Sequence, residues 1–173
     1  MKIETIETPR LCLRGFMPED APFAISLWND AVTGRWLSDP RIEDIPDQDA
    51  YLKTIETLGD AMDCCYLVAV DRESGERIGT CSFKPENNGR SYDLAYAVDP
   101  VRQRNGYGTE MVQALIDYAR ARRAGAVTVC IARENEASNA LARKVGAQII
   151  ATGSFTKEGT GEVIPNYLYE VKL

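Results

Sequence analysis

Histidine is missing from this chain altogether. That removes Ser-His-Asp and Cys-His catalysis and every histidine-ligated metal site. Cysteine is sparse: five residues, odd in number and scattered except for the adjacent Cys64 and Cys65. With no C-x-x-C pair, neither a disulfide framework nor a zinc site is supported, and no metal is expected. Long apolar runs are also lacking; none approaches the roughly 20 residues that cross a bilayer, so no membrane partner is expected. The opening Met1-Lys-Ile-Glu-Thr-Ile-Glu7 has no apolar signal core, which points to a cytoplasmic protein. No linker, repeat or low-complexity stretch divides residues 1–173, read here as one domain.

What is present is ordinary in amount and uneven in placement. Hydrophobic residues make up 45% and charged residues 27% of 173 positions, which suits a soluble domain with one real core. The net charge of −6 hides an asymmetry. Residues 102–144 hold eight Lys/Arg against four Asp/Glu, whereas residues 39–63 hold eight acids against Arg41 and Lys53. A positive centre suits an anionic cofactor; an acidic surface repels nucleic acid and attracts cations. The acidic stretch has two readings, a solvated helix face or a device for steering a cationic substrate.

Hydrophobic periodicity gives the order of elements. Strands are expected at 11–16, 65–70, 77–83, 92–98, 126–131, 148–156 and 162–172. Helices are expected at about 18–28, 47–58, 109–122 and 136–145. In the third helix, Val112, Leu115, Ile116 and Ala119 fall on one apolar stripe. The apolar run Ala126-Val-Thr-Val-Cys-Ile131 reads as a central strand beside a parallel neighbour. This is an α/β (α+β) chain of about seven strands and about four helices.

The most informative segment runs from Tyr92 to Arg122. An alternating strand ends near Pro100, which cannot extend a ladder. Gln103, Arg104, Asn105, Gly106, Tyr107, Gly108 and Thr109 follow, and then a helix. Glycines at 106 and 108 let the backbone approach a ligand, the first N–H groups of the helix attract phosphate, and Arg102 and Arg104 add positive charge. Strand, turn and helix read as a diphosphate cradle. It is not a P-loop, which needs Lys-Ser/Thr after the glycines, and it is not G-x-G-x-x-G.

The spacing Gln103-x-x-Gly106-x-Gly108 resembles the acetyl-coenzyme A signature Q/R-x-x-G-x-G/A of the general N-acetyltransferase (GNAT) superfamily. Asn135-Glu-Ala-Ser138-Asn-Ala-Leu141-Ala-Arg-Lys144-Val-Gly146 resembles the later helix of that superfamily. The opening Thr8-Pro-Arg-Leu-Cys-Leu-Arg14 and the run Tyr107-Gly-Thr-Glu110 look most like its ribosomal-protein N-terminal acetyltransferase (Rim-type) branch. The resemblance implies a mixed central sheet with a splayed parallel pair, the strands 92–98 and 126–131. It implies acetyl-coenzyme A as acetyl donor, held by the backbone of Tyr96, Ala97 and Val98, freed by a bulge, and by residues 103–109. It implies direct transfer to a primary amine. Asn135 matches a residue that bonds the pantetheine arm, but asparagine there also suits a helix N-cap. Ser138 either faces the sulfur or bonds back to a helix carbonyl. Lys144 either reaches the phosphates or is solvated at the helix end. Asp93 matches an acidic position that serves as a base acting through water, or it is an exposed strand residue. Tyr167 and Tyr169 either line the acceptor cleft or pack in the sheet. In many members a tyrosine follows the helix leucine and protonates the thiolate; here that position is Ala142.

Two other readings stay open. One is an acyl-coenzyme A sensor without turnover; the other is a nucleotide-phosphate enzyme. The acceptor is a cationic small molecule or a protein N-terminus, and strand edges permit a homodimer.

Overall fold

The computed structural model describes residues 3–173. The chain runs β1 (Ile6–Glu7), β2 (Leu11–Gly15), α1 (Ala21–Asn29), α2 (Gln48–Glu56), β3 (Cys65–Asp71), β4 (Arg77–Glu86) and β5 (Ser91–Val98). It continues with α3 (Tyr107–Ala121), β6 (Ala126–Ala132), α4 (Glu136–Lys144), β7 (Gln148–Thr156) and β8 (Val163–Lys172). All four expected helices and seven expected strands are there. The eighth strand, β1, has only two residues, too short for alternation to show; it pairs Ile6 with Leu13 and Glu7 with Cys12.

The strands form one sheet in the order β1-β2-β3-β4-β5-β6-β8-β7. Among the described residues β5 and β6 are its one parallel pair. The α3 stripe explains one face. Val112, Leu115, Ile116 and Ala119 are all buried, together with Met111, against Leu94 and Val98 of β5 and Val127 and Val129 of β6. A smaller cluster of Phe16, Ala21, Ala24, Ile55 and Val68 joins α1 and α2 to the opposite face. The molecule thus has three layers, with the parallel pair in the middle one.

Helix α1 starts later than its proline suggests, because Pro18–Asp20 form a 3-10 turn first. The Asp20 carboxylate inside that turn is fully buried, and it accepts from Arg14, Arg77 and the Met17 N–H at 2.6–2.9 Å. This cluster ties the turn to β2 and β4. Helix α3 starts two residues early, at Tyr107, because Gly106 adopts φ +82° as its cap. The expected bulge in β5 is absent. Its pairing with β4 is unbroken from Gly79↔Val98 to Glu86↔Ser91; the register shifts lie in the β3–β4 and β7–β8 pairs instead.

Candidate active site

The parallel pair comes apart half-way along. Its register runs from Ser91↔Ala126 to Leu94↔Val129 and stops, while β5 continues to Val98 and β6 to Ala132. β6 leaves because it is held by β8 along its whole length, Ala126↔Lys172 to Ala132↔Asn166. The opening itself, rather than a bulge, frees backbone groups. The Tyr92 carbonyl accepts from Thr128 of β6, and the Val98 carbonyl accepts from Gln103 and Thr33, whereas the Asp99 N–H turns the other way, to Ile78. Peptide groups alternate sides along a strand, so those of Tyr96 also point toward β6, at a level where no strand pairs with them. An uncovered backbone edge in a cleft is a binding surface for an extended amide-bearing ligand.

A cavity of about 590 Å³ occupies the gap. One wall is Tyr96, Ala97 and Val98; the floor is Gln103, Arg104, Gly106, Tyr107, Gly108 and Thr109; another wall is Asn135, Ser138 and Lys144 of the α4 region. Sequence spacing and tertiary structure therefore converge on one place. Of the residues expected to hold the coenzyme or act in catalysis, two stand apart from the lining, as do Tyr167 and Tyr169 of β8. Asn105 turns outward: its amide donates to the Arg102 and Gln103 carbonyls, and its own carbonyl accepts from Arg10. Asp93 lies on the paired part of β5, where its carboxylate accepts from Thr128 at 3.0 Å. Burial pushes the Asp93 carboxyl above its ordinary range, against the Thr128 hydrogen bond.

The floor loop is built for its backbone. Arg104 and Gly106 both have positive φ, +64° and +82°. The first three amides of α3 have no acceptor within their helix and lie where it opens on the cavity. Gly108 serves packing as well as approach: a Cβ there would lie 3.2 Å from Leu141 and 3.5 Å from Tyr96. The Gln103 side chain points inward, donating to the Val98 carbonyl at 3.1 Å and to the Thr33 hydroxyl at 3.2 Å. It braces the loop and leaves its backbone free. Arg102 lines the cavity, yet its guanidinium is paired with Glu76, so Arg104 is the arginine left to supply charge.

On α4, the Asn135 side chain accepts from the Ser138 N–H at 3.1 Å, so it caps the helix while facing the cavity. Asn139, unnoticed in the sequence, is buried one residue after Ser138. Its amide donates to the carbonyls of Ala132, Arg133 and Asn135, and its oxygen accepts from buried Tyr169 at 2.9 Å. That bond places Tyr169 in the core and fixes α4 against the end of β6. The Ser138 hydroxyl accepts from the Tyr96 hydroxyl at 3.0 Å. Burial pushes the Tyr96 phenol up, only partly opposed by Ser138, so it stays a neutral donor. Ala142, where a tyrosine is common, is 2% exposed and belongs to the core.

The two Rim-like motifs meet behind the floor. The Glu110 carboxylate accepts from the Thr8 hydroxyl at 2.6 Å, the Arg10 N–H at 2.9 Å and the Arg10 guanidinium at 2.7 Å. Burial opposes ionisation of Glu110, but those donors hold its carboxyl below the usual range. Arg10 also lies 4.4 Å over the Tyr107 ring, and the Tyr107 hydroxyl donates to Asp71. None of the acids in 39–63 lines the cavity: Asp47 caps α2 by accepting from the Ala50 N–H at 3.0 Å, and Asp44 pairs with Arg41. Among the described residues no cluster of potential metal ligands occurs, and no helix is long and apolar enough to cross a membrane.

Residues 10–148, which include the splayed strand pair, the Gly-rich turn and the capped helix, match the acetyltransferase (GNAT) domain family. The chain belongs to the GNAT acetyltransferase family. An uncharacterised N-acetyltransferase, p20, of Bacillus licheniformis is 29% identical over 118 residues, 67% of this chain and 66% of that relative, so just under two thirds of its length is spanned. An acetyltransferase of Salmonella typhimurium that modifies the N-terminal serine of ribosomal protein L7/L12 superposes with TM-score 0.77, at 21% identity over 98% of this chain and 99% of its own. A spermidine N-acetyltransferase of Vibrio cholerae, solved with coenzyme A and spermine, superposes with TM-score 0.79, at 15% identity over 95% and 96% of the two chains. At these identities the superpositions are likenesses of the GNAT fold.

Proposed function

We propose that this protein transfers the acetyl group of acetyl-coenzyme A to a primary amine by direct attack within a ternary complex. The observation that carries this reading is the gap between β5 and β6, with an unpaired backbone edge on one side and an amide-lined turn below. The residues fit the coenzyme: α3 amides and Arg104 suit a diphosphate, and the Tyr96 peptide groups suit the amide-bearing pantetheine arm. When bound, acetyl-coenzyme A supplies an activated thioester carbonyl.

Acetyl transfer develops charge on the carbonyl oxygen and then on sulfur. Ser138 is the side chain suited to the sulfur. Because Tyr96 donates to its oxygen, the Ser138 hydrogen is left to point into the gap, and a buried neutral phenol behind it strengthens that donor. This pair takes the place of the tyrosine that Ala142 replaces. Asp93 is left out of this mechanism, since it lies away from the lining and is bonded to Thr128. The acceptor class is an amine; the L7/L12 serine and spermidine enzymes are two neighbours with such acceptors.

The test is isothermal titration with coenzyme A, followed by thiol release from acetyl-coenzyme A in the presence of spermidine, a peptide with a free N-terminal serine and other amines. Binding with amine-dependent release supports transfer. Binding without release across the panel leaves an acyl-coenzyme A sensor, the reading that Ala142 favours. Titration without heat sinks both.

A further inference from the structure

Lys157 is the one lysine whose residue is almost wholly buried, 4% exposed, among the described residues. It sits where β7 turns toward β8. Its ammonium donates to three backbone carbonyls, Gly34 at 2.8 Å, Leu37 at 2.9 Å and Asp39 at 3.0 Å. Among the described residues no carboxylate lies within ion-pair distance of it. Three N–H donors meet three acceptors, so the cation is satisfied by main chain alone. Burying an ammonium costs several kcal/mol unless its hydrogen bonds are all made, so this is a demanding way to hold a loop.

The loop matters because of what it faces. α3 and α4 cover one face of the sheet and carry the floor and the Ser138 wall; α1 and α2 cover the other. The segment 33–39 follows α1, which ends at Asn29, and meets the open gap from that other side, with Thr33, Trp36 and Leu37 lining the cavity. It is fastened near the floor by Thr33, through Val98 and Gln103. Gly34 packs so tightly on Trp28 that a Cβ would lie 1.9 Å from the Trp28 carbonyl oxygen. At the far side the fasteners belong to the β7–β8 turn: Lys157, and the Glu158 N–H to the Ser38 carbonyl at 2.8 Å.

We propose that Lys157 is the positioning residue of the acceptor-side wall, its ammonium holding segment 33–39 over the gap so that the wall has one shape for the incoming amine. This rests on the acetyl-transfer reading for the word acceptor, while the anchoring itself does not. Burial lowers the affinity of Lys157 for its proton; Asp39, Glu162 and Asp44 favour the charged form and Arg41 opposes it.

The experiment is hydrogen exchange by mass spectrometry on the unliganded protein, wild type and Lys157→Met, paired with titration by coenzyme A and kinetics with spermidine and the N-terminal serine peptide. The expected result is exchange at residues 34–39 faster by about ten-fold or more, α3 and α4 unchanged, coenzyme A affinity within about two-fold, and KM for whichever amine turns over raised by about ten-fold. If Lys157→Met does not fold, Gly159→Ala takes its place: at φ +82° its Cβ would press to 2.8 Å from that of Asp44, lifting the same turn off the segment. Unchanged exchange at 34–39, or coenzyme A affinity falling as far as amine affinity, overturns the proposal. Failure of wild type to bind coenzyme A overturns the transfer reading instead, and the exchange measurement still decides whether Lys157 anchors the segment.

Discussion

Ser138 and Tyr96 make the sharpest claim about single side chains. Their hydroxyls are 3.0 Å apart across two elements, and the sequence points to chemistry only at the serine. The resemblance brings Tyr96 to the site for its backbone alone. Its side chain has no signal in the sequence, because the partner is 42 positions away, beyond any local pattern. Ser138→Ala is expected to lower kcat on the order of 10²-fold with coenzyme A affinity unchanged, as loss of a proton donor does. Tyr96→Phe removes one neutral hydrogen bond, about 1 kcal/mol, and is expected to lower kcat about five-fold. Steady-state kinetics beside titration separates these effects. Equal loss in kcat and in coenzyme A affinity would make Ser138 a binding residue only.

Among the elements, the turn between β5 and α3 is the one whose conformation the chemistry needs. Gly106 at φ +82° caps α3, and any side chain there is strained by about 1–2 kcal/mol. Gly106→Val is expected to weaken coenzyme A binding by about ten-fold or more, while α3, buried along its stripe, keeps the fold intact. Arg10→Met strikes the same turn from behind. It removes the guanidinium contacts to Glu110 and to the Asn105 carbonyl, and a loss of about five-fold in coenzyme A affinity is expected because Arg10 is partly exposed. The turn was legible in sequence because glycine spacing is local. Its support was not: Arg10 and Glu110 are 100 residues apart, and it is the packing of β1 and β2 beside α3 that joins them. The bulge expected in β5 failed for a related reason. β4 pairs β5 along its full length and keeps it regular, so the gap opens through β6, whose loyalty to β8 no local signal announces.

At the scale of the whole molecule, the Asp20 cluster should set acid stability. Burial pushes the Asp20 carboxyl up, but Arg14, Arg77 and the Met17 amide more than offset it, and it stays below its ordinary value. A depressed carboxyl stabilises the fold fully above the unfolded value, near 3.9, and that contribution is lost as pH falls through the folded one. Glu110 is depressed too and has the same sign. The contribution of these two carboxylates to the denaturant midpoint is therefore expected to be whole from neutral pH to about pH 5 and to be lost below about pH 4, while Asp93, whose carboxyl is raised by burial, acts with the opposite sign. Asp20→Asn should cost about 2–3 kcal/mol at neutral pH by taking the carboxylate from two partly exposed guanidiniums that each keep a backbone carbonyl, and should flatten the acid limb. An acid limb as steep in the variant as in wild type would remove Asp20 from that role.

The amino-acid order by itself determined the elements, the α3 stripe, the amide-lined turn and the capped α4, because each depends on neighbours within a turn or a strand and periodicity records those. It also excluded histidine chemistry outright. Only the folded chain decided where the strand pair opens, that Tyr96 meets Ser138, that Arg10 backs the turn and that Lys157 pins the far wall. Those depend on contacts between residues 34 to 123 positions apart, and sequence distance carries no information about such contacts until packing closes the loops between them.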